Sequence, residues 1–125
     1  MTAMKLIPAA LPLALLAGCA AGEPSIEGVR DLRSVMEDAG YECPEYAETE
    51  DPVNALEAAE CSPTTVILVF ESQEDIERQL DDYAAFGDII GEVLVGPNWI
   101  VNGDLGPMLD LQEEIGGEIV DVSDR

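Results

Sequence analysis

The chain has 125 residues, with 27 acidic side chains against 5 basic ones and no histidine, for a formal net charge of -22 and an isoelectric point near 4.1. A surface this anionic cannot neutralise phosphates, which excludes ordinary nucleic-acid binding and basic-patch docking to anionic lipid. The missing histidine removes the commonest general base, the usual partner of a nucleophilic Ser or Cys, and the commonest metal ligand.

At 47% hydrophobic, the chain is nonetheless apolar enough to fold, and its length suits one small domain. Met1 to Lys5 precede an uncharged apolar run, Leu6 to Ala17, interrupted by Pro8 and Pro12. A helix needs about 20 residues to cross a bilayer core, so this run is too short. A lysine before it and small residues after it match a secretory signal, more compactly still if translation starts at Met4. No twin-arginine pair precedes the run, which points to the general secretion route.

The last four residues of this stretch are Leu16-Ala17-Gly18-Cys19, which resembles the lipobox of bacterial lipoproteins. The resemblance implies that residues 1–18 are a signal peptide and that Leu16, Ala17 and Gly18 are read by the processing enzymes. It also implies that Cys19 becomes the first mature residue, diacylated through its sulfur and anchored in the membrane. The alternative is a plain secreted protein whose cleavage site contains a cysteine. Loss of residues 1–18 removes Lys5 and no acid, so four arginines and no lysine remain against 27 acids. Residues 19–25 (Cys-Ala-Ala-Gly-Glu-Pro-Ser) are small and turn-prone, a tether that spans only about 20 Å when extended.

With Cys19 assigned to lipid, Cys43 and Cys61 remain, and a pair outside the cytoplasm normally oxidises. The bond closes a loop of about 19 residues, for which the chain-entropy model gives roughly 3 kcal/mol. Two thiols without histidine fall short of a zinc shell, and the spacing is far from Cys-x-x-Cys. A structural disulfide is the expectation.

The first folded element reads as a helix from about residue 26 to 39, with Ser25 as N-cap, Gly40 as stop, and Val29, Leu32, Met36 and Ala39 on its apolar face. Pro44 bars its continuation, and residues 45–52 read as an acidic, mobile loop. The stretch 51–60 is ambiguous: Asp-Pro at its start and an Ala/Glu-rich body favour a short helix, while an antiparallel sheet would place a strand here, paired across Ser62-Pro63-Thr64. The reading favours a helix or irregular segment that becomes extended near Cys61. Thr64 to Phe70 is an unbroken apolar, β-branched run, which predicts a central strand covered on both faces or nearly so. Ser72-Gln73-Glu74-Asp75 then opens a helix to about Phe86, with Ile76, Leu80, Tyr83 and Ala84 buried and Gly87 ending it. Two short strands flank Gly96-Pro97-Asn98 as a hairpin. Residues 104–115 predict a helix with Pro107 in its first turn, Met108, Leu109, Leu111 and Ile115 as its apolar residues, and Gly116-Gly117 as its end. Glu118 to Val122 reads as an edge strand and residues 123–125 as a frayed end.

This order predicts an α+β domain over residues 26–125, a small two-layer sandwich with an antiparallel or mixed sheet of three to five strands, two or three helices and one disulfide. The run Leu94-Val95-Gly96-Pro97-Asn98-Trp99-Ile100-Val101, with the cysteine pair upstream, resembles a pattern in small lipoproteins of actinobacteria. That resemblance implies the architecture and supplies no mechanism.

Carboxylates are the only abundant reactive groups. The candidate sets are Glu48/Glu50/Asp51, Glu71/Glu74/Asp75, Asp81/Asp82 and Asp110/Glu113/Glu114. Glycoside hydrolysis needs two acids across a deep cleft, which so small a domain rarely offers. Serine catalysis lacks its histidine and its Gly-x-Ser-x-Gly, and a mature lysine base is absent. Calcium suits oxygen ligands, yet no Asp-x-Asp-x-Asp-Gly spacing occurs, and Asn102-Gly103-Asp104 reads as a turn and helix cap. Trp99 reads as core, with an exposed ligand-stacking residue as the alternative. The expectation is therefore a lipid-anchored extracytoplasmic protein without catalytic residues, cofactor or specific metal. It would act by binding an envelope protein or ligand, with weak calcium binding as the alternative and a small carboxylate hydrolase behind it.

Overall fold

The structure, a computed structural model, describes residues 26–125. The signal peptide 1–18 with Leu16, Ala17 and Gly18, the anchor Cys19, the tether 19–25 and its expected cap Ser25 lie outside the described residues.

One sheet contains six strands: β1 (Ala47–Glu48), β2 (Glu57–Ser62), β3 (Thr65–Val69), β4 (Glu92–Val95), β5 (Trp99–Asn102) and β6 (Glu118–Asp121). Their spatial order is β1-β2-β3-β5-β4-β6, and every pairing is antiparallel. Among the described residues four α-helices accompany it, α1 (Val29–Asp38), α2 (Gln73–Ala84), α3 (Gly87–Ile90) and α4 (Leu105–Ile115), and a 3-10 turn (Val122–Asp124) follows β6. The α+β class, the antiparallel sheet and the disulfide agree with the sequence reading. The strand and helix counts exceed it, and the helices divide between both faces of the sheet where a two-layer sandwich would use one.

The reason lies in β3. Successive side chains of a strand point to opposite faces, so Ile67 and Val69 face one way, Leu68 and Phe70 the other, and all four are buried. Both faces must then be covered. On the first, α1 and α4 lay Leu32, Met36, Met108 and Leu111 over Ile67, Val69, Leu94 and Trp99. On the second, α2 lays Ile76 and Leu80 over Leu68, Phe70, Val93 and Ile100, with Val122 closing the edge.

Several local expectations are corrected. Helix α1 begins three residues late, behind Gly28, because Ile26 is held in the core by Asn98; Gly40, at φ +96°, ends it as expected. The acidic loop 45–52 contains β1, registered Ala47 opposite Glu60. The helical reading of 51–60 fails over Glu57–Glu60, which belong to β2. Pairing with β3, from Glu57 opposite Val69 to Glu60 opposite Val66, buries Ala58 and Ala59 on the two faces and overrides the helix propensity of Ala and Glu. The extended chain at Cys61 is as anticipated, and the pairing across 62–64, with Ser62 opposite Thr65, is the alternative that the sequence reading did not favour.

Ser72 caps α2 as predicted, its Oγ accepting from the Asp75 amide at 3.2 Å. The helix ends at Ala84, and Gly87, expected as its stop, opens α3 instead. Leu109 is exposed, since Met108, Leu111 and Ile115 fill the buried face of α4. The supposedly frayed end is pinned: Asp121 accepts from the Ser123 amide at 3.0 Å. Arg125 Nη2 donates to Glu77 at 2.8 Å and Asp81 at 2.9 Å.

In the β4–β5 hairpin the Gly96 amide donates to the Trp99 carbonyl at 2.8 Å. Trp99 is fully buried, and its ring packs so tightly on Gly96 that any β-carbon there would collide with it.

Candidate functional site

The register gives the sheet two distinct ends. At one, the chain arrives: the Ile26 amide donates to Asn98 Oδ1 at 3.1 Å, and Asn98 Nδ2 donates to the Ile26 carbonyl at 2.5 Å. Helix α1 departs from here, its Val29 amide donating to Glu57 Oε1 at 2.9 Å. At the other end β3 begins and β5 finishes, with Val66 opposite Asn102. This second end gathers the last turn of α1, the β2–β3 turn and the first turn of α4.

A groove of about 430 Å³ opens between those three segments. Ala39, Gly40 and Tyr41 form one wall, Ser62 and Thr64 a second, and Asp104, Pro107 and Asp110 a third; Thr65 and Leu111 are buried beneath, and Glu42 and Pro44 stand at the rim.

The disulfide holds two of these walls together. Cys43 and Cys61 are bonded and buried; Cys43 lies between the rim residues Glu42 and Pro44, and Cys61 precedes Ser62. The Glu45 amide donates to the Cys61 carbonyl at 3.0 Å and closes the same junction. The floor is set by a hydrogen bond of 2.9 Å between the Tyr41 hydroxyl and Thr65 Oγ1. Gly103 allows that contact, because a β-carbon there would lie 2.5 Å from the Tyr41 oxygen and 2.9 Å from Thr65 Oγ1. Burial raises the Tyr41 pKa, the nearby Asp104 charge adds to the rise, and the Thr65 bond opposes it. Tyr41 is therefore a neutral phenol at ordinary pH.

Asp104 sits at the N-cap position of α4, yet its carboxylate makes no capping bond; it accepts a weak bond from Thr64 Oγ1 at 3.4 Å. Glu42, Asp104 and Asp110 are all exposed, and no basic side chain lines the groove. An apolar and hydroxyl-bearing trough with an anionic rim can receive an apolar stem that ends in a positive charge.

The other predicted residues lie elsewhere. Glu48 is bound to Arg30 at 2.7 Å and to the Tyr46 hydroxyl at 2.9 Å, and these two bonds, Arg30 first, lower its pKa. Arg33 lies over the Tyr46 ring at 4.4 Å. Glu74 and Asp75 share Arg78, and Asp81 holds Arg125. Asp82 accepts from Asn54 Nδ2 at 2.7 Å. Of the set Asp110/Glu113/Glu114 only Asp110 reaches the groove. No cluster of three or more cysteine and carboxylate side chains able to hold a metal ion occurs among the described residues.

Tyr41, Glu42 and the groove role of Asp104 were not legible as a site. Their only signals are adjacency to Cys43 and a Gly-Asp turn after a buried strand. No known protein family, curated protein or solved structure matches the chain.

Proposed function

We propose that the protein is a lipid-anchored extracytoplasmic binding domain, attached to the outer face of the cell membrane through Cys19 and acting on an envelope partner by binding and not by catalysis. The observation that carries the binding role is the groove of about 430 Å³ walled by α1, the β2–β3 turn and α4, in the size range of ligand clefts. In three of the four candidate carboxylate sets at least one member (Glu48, Glu74 with Asp75, and Asp81) is engaged in a surface ion pair with Arg30, Arg78 or Arg125, an arrangement that suits solvation better than acid–base chemistry. The buried Cys43–Cys61 bond suits an oxidising compartment, and the sequence Leu16-Ala17-Gly18-Cys19 supplies the reading of the anchor.

The anchor is tested by metabolic labelling with a palmitate analogue and mass spectrometry of the mature N-terminus. The expected result is a diacylated Cys19 in the membrane fraction, with label lost in Cys19→Ala. An unlipidated N-terminus would refute the anchoring.

A further inference from the structure

We infer that the groove beside Tyr41 receives a lysine- or arginine-bearing segment of another polypeptide, presented on the side of the domain that faces away from the membrane. The inference rests on the proposed anchoring at Cys19 for its orientation, and on the groove alone for its ligand class.

The orientation follows from where the chain arrives. Ile26 is clamped to Asn98 at the hairpin end of the sheet, and the seven residues 19–25 allow at most about 25 Å between that point and the lipid. Helix α1 has ten residues, so it carries the chain about 15 Å towards the opposite end, where Tyr41 meets Thr65. The groove thus opens at the end of the sheet remote from the tether. Lipid headgroups commonly carry the wrong charge to occupy it.

The ligand class follows from the lining. Pro44 and Pro107 offer apolar contact, while Glu42, Asp104 and Asp110 offer negative charge with no basic residue among them. The last turn of α1 also contains no basic residue, so its carbonyl end adds negative potential to the same wall. A bare metal ion would use the carboxylates and leave the apolar surface unused. A lysine or arginine side chain uses both, its stem along the prolines and its head at the rim.

The test is fluorescence anisotropy of a labelled decapeptide of alternating lysine and alanine, titrated with the full chain in nonionic detergent. Asp104→Asn with Asp110→Asn is expected to weaken binding about tenfold, the effect of removing two partly screened charge contacts. Glu113→Gln with Glu114→Gln removes equal charge from exposed positions of the same helix, and is expected to change binding less than about twofold, because attraction to the overall charge depends little on where it sits. The matching glutamate–alanine peptide should not bind. Equal weakening by both double variants, or no binding of the lysine peptide, overturns the inference. Neither result bears on the anchor, which palmitate labelling reads separately, nor on occupancy of the groove by some other partner, which cross-linking at the groove reads.

Discussion

Asn98→Ala removes a side chain that ties the arriving chain to the hairpin. Asn98 makes two hydrogen bonds to the backbone of Ile26, one through each side-chain polar atom, while its own carbonyl accepts from the Phe70 amide and is untouched by the change. Each bond contributes about 1 kcal/mol net, so their joint loss costs about 2 kcal/mol. Ile26 is only 3% exposed, and its orphaned amide and carbonyl must either remain unpaired or draw the segment out of the core. For a domain near 100 residues, 1 kcal/mol moves the melting temperature by about 4–8 °C, so a fall of about 8–16 °C is expected. Asn98→Asp keeps the acceptor for the Ile26 amide but sets a carboxylate against the Ile26 carbonyl. It should be at least as damaging at neutral pH and partly relieved as acid protonates it. Thermal unfolding followed by Trp99 fluorescence measures both. A midpoint for Asn98→Ala equal to that of the parent would refute the clamp.

Replacing Cys43 and Cys61 together by alanine should cost roughly 3 kcal/mol, and reductant should lower the melting temperature of the parent but not of the variant; a parent melt indifferent to reductant contradicts this. All three tyrosines titrate above their ordinary range. Burial is the first cause for Tyr41 and Tyr83, and burial followed by Glu48 pushes Tyr46 up to about 12. A pKa raised in the folded state means stability fully present below about pH 10, where the unfolded phenols ionise, and lost as pH climbs through the folded values. Phenolate absorbance should therefore rise only above pH 10, and a midpoint at 10 in the folded protein would contradict the packing. With 27 acids against 5 bases, the melting temperature should rise over the first tenths of a molar NaCl as the Debye length falls from about 30 Å at 0.01 M towards 10 Å at 0.1 M. A flat response would leave self-repulsion without a role.

Legibility followed the strength of local signals. The unbroken run ending at Phe70, the Ser72 cap, the Gly-Pro-Asn hairpin and the Gly116-Gly117 stop each carry their own chemistry in adjacent residues, and each stands where the sequence places it. The misses are segments decided by a distant partner. Glu57–Glu60 has helical propensity and becomes a strand because β3 offers an open edge. Residues 47–48 pair with β2 while Tyr46, between Arg33 and Glu48, holds the segment against α1. Arg125 ends the chain against α2 through Glu77 and Asp81, some 48 and 44 residues away, a contact no local pattern announces. The groove was illegible for the same reason. Tyr41, Thr64 and Asp110 are unremarkable singly, and only the sheet register and the disulfide bring their segments together.

Site-specific photo-cross-linking in intact membranes tests the binding role most directly. A photoreactive phenylalanine analogue at Thr64, in the groove wall, is compared with the same group at Glu114, exposed on the far part of α4. A discrete adduct from position 64, weakened by Asp104→Asn with Asp110→Asn and absent from position 114, is the expected result. Identical adducts from both positions, or adducts from position 114 alone, would contradict a binding site in the groove.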